Sequence, residues 1–166
     1  WTLMYANNVD GYFMIYNLGQ TLYYGFDMTL DSNDKVHVAY HPQSANVMSY
    51  GTNAGGSWTN RTLAPNAGEF ASLAVDSKGA VSICFLSTTE RWIRYANNAD
   101  GRWSFINVGS AGTSVETPSM ALDSGDKAHI SYYEATGGRN GLKYATNSAW
   151  KMDVIFESQG LGNFAP

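Results

Sequence analysis

Leu73-Ala74-Val75-Asp76-Ser77, followed across Lys78-Gly79 by Val81-Ser82-Ile83-Cys84-Phe85, is the middle copy of a phrase written three times in this chain. The first copy reads Met28-Thr29-Leu30-Asp31-Ser32 and then Val36-His37-Val38-Ala39-Tyr40. The third reads Met120-Ala121-Leu122-Asp123-Ser124 and then Ala128-His129-Ile130-Ser131-Tyr132. In the second half of each copy, alternate residues are apolar. That is the period of a strand with one buried face, not of a helix. The Asp-Ser pair, with its Asn, Gly and Asp neighbours, supplies a tight turn.

A second block keeps the same frame. Tyr5, Tyr50, Tyr95 and Tyr144 are spaced by 45, 45 and 49 residues. Each sits in an apolar-Tyr-small-Asn setting, such as Ile93-Arg94-Tyr95-Ala96-Asn97-Asn98. An aromatic follows eight residues later at Phe13, Trp58 and Trp103, and six later at Trp150. Each period therefore holds four short strands, A and B from the first block and C and D from the second. Four antiparallel strands in about 45 residues is the pattern of a β-propeller blade. One blade cannot bury both faces, so neighbours must stack, and the repeated Tyr and Trp are expected between blades.

The frame predicts an all-β fold: a C–D half blade over 1–19, full blades over 20–64, 65–109 and 110–159, and the start of another over 160–166. A ring of four to eight blades does not close with three and a half. The open faces are expected to meet further blades of the same chain or another copy, and a piece of a longer polypeptide is the favoured explanation.

Composition agrees. Charged residues are 14%, aromatics 14%, and Gly numbers 17, which suits strands and short turns. Net charge is −4, and the ten Lys and Arg are scattered, so nucleic acid is not an expected partner. No apolar run approaches the ~18 residues a membrane span needs, so membrane insertion is not expected. Cys84, the single cysteine, lies in an apolar run and reads as a buried core residue.

The repeats resemble the bacterial neuraminidase repeat, or Asp-box, propellers of exported and cell-surface proteins. That box, Ser-x-Asp-x-Gly-x-Thr-Trp, lies in the C–D turn. Gly51-Thr52-Asn53-Ala54-Gly55-Gly56-Ser57-Trp58 keeps the Gly and Trp, with Asn for Asp and Ser for Thr. Ala96-Asn97-Asn98-Ala99-Asp100-Gly101-Arg102-Trp103 keeps Asn98 and the Trp. In that family the box stabilises a turn and does not mark an active site. The resemblance implies an extracellular or cell-surface setting.

By the family's layout, sites gather in the D-to-A and B-to-C connections. These are 19–25, 64–70 and 110–117, then 41–46, 87–91 and 134–141. The ligand-binding candidates there are Tyr23, Tyr24, His41, Glu69, Arg91, Glu116, Tyr133, Glu134 and Arg139. Aromatics that stack on sugar rings and planar polar groups that bond hydroxyls suit a carbohydrate or protein ligand on the loop face. A sialidase-like site needs three arginines, a Tyr–Glu pair and an Asp acid, and only Arg91 and Arg139 lie on suitable loops. No catalytic residue, cofactor or metal is assigned. His37 and His129, in frame with Ser82, lie too far apart to share an ion. The Asp31-Ser32-Asn33-Asp34 and Asp123-Ser124-Gly125-Asp126 segments read as turns rather than calcium loops. Asn60-Arg61-Thr62 is a glycosylation sequon on strand D. The expected function is a non-catalytic recognition, adhesion or structural module. The alternative is a sialidase-like glycoside hydrolase fragment.

Overall fold

The computed structural model describes residues 2–8, 10–12, 14–42, 45–65, 68–113, 117–136, 139–147 and 151–159, with backbone alone at 19–24, 139–140, 151–154 and 156–159. The described residues form antiparallel sheets and no helix, and the sheets do not close into a barrel. In chain order the strands are β1 (Thr2–Asn7), β2 (Met14–Leu30), β3 (Val36–Pro42), β4 (Val47–Thr52), β5 (Thr59–Pro65), β6 (Glu69–Val75), β7 (Val81–Ser87), β8 (Trp92–Asn97), β9 (Ser104–Ser110), β10 (Ser119–Leu122), β11 (Ala128–Thr136), β12 (Arg139–Thr146) and β13 (Lys151–Gln159). β6 to β9 make one four-stranded sheet in chain order, and β10 to β13 another. β1 to β5 follow as a continuous order of five.

That order of five departs from the expected connection at 19–25. β2 runs unbroken through it, pairing first with β1 and then with β3. The register shifts between Leu22 and Phe26. Gly25 lies inside the shift at φ +69°, a region closed to most side chains. The bend is therefore absorbed inside a strand. β11 and β12 likewise extend further than expected, in register from His129↔Thr146 to Thr136↔Arg139.

Each Asp-Ser turn is built the same way. Asp31 Oδ1 accepts from the Asn33 and Lys35 amides at 2.8 and 2.9 Å. Asp76 accepts from Lys78 and Ala80, both at 2.8 Å, and Asp123 from Gly125 and Lys127 at 2.8 and 2.9 Å. Asp34, Gly79 and Asp126, in frame, all take positive φ. The carboxylate of the phrase is thus a turn organiser. The C–D turns carry a second device. Asn53, Asn98 and Asn147 reach back with Oδ1 to the first amide of the B strand, at Val36 (2.7 Å), Val81 (2.6 Å) and Ala128 (3.0 Å).

The sheets stack through three apolar clusters. Leu3 and Leu18 pack on Val36, Val38 and Tyr40. Ala39, Met48 and Tyr50 pack on Leu73, Ile83 and Phe85. Cys84, Ile93 and Tyr95 pack on Met120, Ile130 and Tyr132. The in-frame aromatics meet across the first two junctions. Tyr5 meets Trp58 edge-on at 5.7 Å, and Tyr50 meets Trp103 at 5.4 Å. Cys84 is fully buried, and burial pushes its thiol up to about 12. Its buried-core reading holds.

Hydrogen bonds also join successive first strands. Asp27 Oδ2 accepts from the Leu73 amide at 2.7 Å, and Ser72 Oγ, its in-frame partner, accepts from Met120 at 3.1 Å. Ser77 on one Asp-Ser turn donates its amide (2.9 Å) and hydroxyl (2.5 Å) to Asp126 on the next.

Candidate functional site

The structure brings His41 and Glu69 together at the junction between the sheets of β3 and β6. His41 is buried near the end of β3. Burial lowers its pKa, against the opposing pull of the Glu69 carboxylate and a bond to the Ala45 backbone. Thr88 Oγ1 donates to Asn46 Oδ1 at 3.0 Å across the same junction.

At the next junction Arg91 acts as a clasp. It sits at φ +59°, its carbonyl accepts from the Ala111 amide at 2.8 Å, and its Nε donates to the Gly112 carbonyl at 2.9 Å. Those bonds hold it against the chain leaving β9. Tyr133 and Glu134 lie on the β11 ladder opposite Leu142 and Gly141 rather than on a loop. Glu134 pairs with Lys143 at 3.3 Å. Tyr132, next to them, is pushed up to about 12, first by burial and then by the Glu134 charge. The backbones of Tyr23 and Tyr24 lie in β2 and that of Arg139 in β12, and their side chains fall outside the described set. Glu116 lies outside the described residues. Among the described residues no three His, Cys, Asp or Glu side chains gather.

Two Asp–His–Tyr chains stand out. His37 Nδ1 meets Tyr50 Oη at 2.5 Å and its Nε2 meets Asp31 Oδ2 at 3.4 Å. His129 meets Tyr144 at 2.5 Å and Asp123 at 3.1 Å. In the middle repeat Ser82 takes the His place, 2.8 Å from Tyr95, with Asn97 donating to it at 2.9 Å. In the first and third full repeats the chain ties the A–B turn to strand C, whereas in the middle one Ser82 links strand B to strand C alone. Asp123 is lowered to about 2, chiefly by the Lys127 amide and then by His129 and Gly125. A carboxylate depressed in the folded state contributes stability above its unfolded pKa, near 3.8, and loses it as pH falls to about 2. We therefore expect acid titration followed by circular dichroism to show stability falling across that window. Asp123→Asn should flatten the fall and lower stability at neutral pH. A wild-type slope in the variant would exclude the effect.

The hollow that the sequence did not single out lies on the outer part of the first full sheet. It measures about 310 Å³ and is lined by Tyr40, Pro42, Ala45, Val47, Ser49, Asn60, Arg61 and Thr62. β3 supplies the buried Tyr40, β4 supplies Ser49, and β5 supplies the exposed Asn60, Arg61 and Thr62. The pKa of Tyr40 is raised by burial, and its hydroxyl bonds Ser49. One signal was present in the sequence. In frame with Asn60-Arg61-Thr62, the next repeat has Phe105-Ile106-Asn107. Polar Asn60 and Arg61 are a departure from that pair, Phe105 and Ile106.

The fold is similar to two solved structures. One is a fucose lectin from Kordia zhangzhouensis in complex with methyl-fucoside, matched with a TM-score of 0.53 and 19% identity over 81% of this chain and 100% of that one. The other is AofleA from Arthrobotrys oligospora, matched with a TM-score of 0.62 and 12% identity over 98% of this chain and 54% of that one. This chain thus spans about half the length of AofleA. At such identities the likeness is one of fold, stacked antiparallel sheets in the arrangement of these proteins. No protein-family model matches the chain, and no curated protein matches it by sequence. The Asp-box resemblance therefore rests on the turn residues alone.

Proposed function

We propose that this chain is a non-catalytic carbohydrate-binding module made of propeller blades, three full and one half, with the Asp-box-like turns as their fasteners. The observation that carries the reading is the likeness of fold to the whole length of a lectin solved with methyl-fucoside. The polar hollow on the first full sheet is the site we assign. At about 310 Å³ it lies at the small end of ligand pockets, the size of one sugar ring rather than a long chain. Ser49, Asn60 and Thr62 bond hydroxyls, and Arg61 supplies a charged planar donor. His41 and Glu69 sit at one end of the neighbouring junction, and the other loop candidates keep a ligand-contact role only as part of this proposal. A glycan ligand implies an extracellular or surface setting, and we propose that setting with the function.

The test is a glycan array followed by calorimetry, with methyl-fucoside as the first probe. Arg61→Ala is expected to weaken binding by roughly tenfold or more, the worth of a hydrogen bond to a charged group. Retention of no glycan would sink the reading. Release of sugar from a fluorogenic sialoside, abolished by Arg91→Ala, would replace it with the hydrolase alternative.

A further inference from the structure

We propose that β1 and the exposed face of β2 are the seat of one more A–B hairpin of this same repeat, which pairs edge-on with β1 and covers Phe26, Met28 and Leu30. This inference does not depend on the glycan reading.

The first argument is the edge. β1 is a C strand by its Tyr5 frame, and it ends the sheet order. Every other C strand in the molecule pairs on that side with a B strand: β4 with β3, β8 with β7 and β12 with β11. An edge strand is a template for a further strand.

The second argument is the face. Phe26, Met28 and Leu30 are 59%, 47% and 49% exposed. The in-frame partners of Met28 do the opposite: Leu73 is 6% exposed and Met120 is 9% exposed. Those of Leu30, Val75 and Leu122, are partly buried against the same clusters. Leu73 packs with Ala39 of the preceding B strand, and Met120 with Cys84 and Leu86 of the preceding B strand. What covers that face in this fold is the A–B half of the unit before it. Among the described residues no such half lies against Phe26, Met28 and Leu30.

The third argument is the fastener. Asn53, Asn98 and Asn147 each accept the first amide of the adjoining B strand. Asn8 is the fourth residue in that frame. Its turn is already formed, because Gly11 donates to the Asn8 carbonyl at 2.9 Å just as Gly56 does to Asn53 and Gly101 to Asn98. Tyr5 stands in frame with Tyr50, Tyr95 and Tyr144, whose hydroxyls meet His37, Ser82 and His129. The seat therefore selects a strand that begins apolar, then His or Ser, then apolar. Val36-His37-Val38, Val81-Ser82-Ile83 and Ala128-His129-Ile130 are all strands of that type.

The experiment places a second copy of residues 117–139 directly ahead of Trp1, the position from which a B strand leads into a C strand. Hydrogen exchange is read at the amides of Thr2–Asn7, and binding of a hydrophobic dye reads the face. Exchange of the β1 amides is expected to slow by about tenfold or more, the mark of edge groups drawn into a ladder. Dye binding should fall with it. Ile130→Pro in the added copy should undo both effects, and Asn8→Ala should undo part of the protection. Unchanged β1 exchange in the extended chain would overturn the proposal. So would an unextended chain that is a stable dimer with β1 already protected, because a second copy would then be the occupant.

Discussion

Phe85→Ala is expected to lower stability by about 3–5 kcal/mol, the range for deleting a fully buried phenyl group. Phe85 has no exposed surface and belongs to the cluster that fastens the sheet of β3–β5 to that of β6–β9. Its loss leaves a cavity in the junction itself, where two rigid sheets meet and neither can relax into the gap. It also strips a wall from Arg94, whose guanidinium carbon lies 6.0 Å from the Phe85 ring and 5.5 Å from that of Phe105. A half-buried cation then keeps one aromatic partner instead of two. For a domain of this size the loss corresponds to a fall in Tm of roughly 10 °C. Ile106→Ala serves as the comparison. Ile106 is exposed, and its truncation should cost less than about 1 kcal/mol. Urea unfolding of both variants decides the matter. A Phe85→Ala loss no larger than that of Ile106→Ala would show that the sheets are not held together through this cluster.

The second large effect is expected at Gly112. Its φ is +65°, and a Cβ placed there would overlap the carbonyl of Ala135 and lie 2.6 Å from Thr136 Oγ1. The backbone conformation alone costs a side chain about 1–2 kcal/mol. The overlap adds more, because the obstacle is the backbone of β11, paired along its length with β12. Gly112 also forms the parallel bridge to Ala135 and accepts the Arg91 clasp. Gly112→Ala is therefore expected to cost about 3 kcal/mol or more in urea unfolding. Arg91→Ala, which removes the clasp and leaves the close approach intact, should cost about 1–2 kcal/mol. Equal losses would mean that the close approach carries no energy of its own.

The repeat was legible in the sequence because its physics is local. A period-two alternation and the Asp-Ser and Asn-bearing turns leave marks at regular offsets, and the strands and turns were found where the frame placed them. The bond from each Asn back to the preceding B strand, 17 to 19 residues away, left no such mark. The bend at Gly25 was not legible. Tyr23-Tyr24-Gly25 reads equally well as a loop or as a bulged strand, and the close approach of the Phe70 backbone, 2.8 Å from where a Gly25 Cβ would sit, leaves no linear trace. Tyr133 and Glu134 were expected on a loop for a similar reason. The β11–β12 ladder continues past the point where alternation fades, since backbone pairing does not require it. The hollow beside Tyr40 was missed because a pocket is the absence of bulk in three dimensions. Its one linear trace, the polar run Asn60-Arg61-Thr62, was read as a sequon.

The links between successive sheets are not copies of one another. The junction of β2 with β6 is bridged by the carboxylate of Asp27 and that of β6 with β10 by the hydroxyl of Ser72. Asp126 reaches back to Ser77, whereas the in-frame residue Gly79 has no side chain with which to reach Ser32. His37 and His129 flank a Ser82 that uses a different partner set. The repeats are therefore addressed as well as repeated. A gene rearranged to place them in another order, or built from three copies of one of them, would keep every sheet and lose the matched pairs between them. The sequence of units is itself part of what folds.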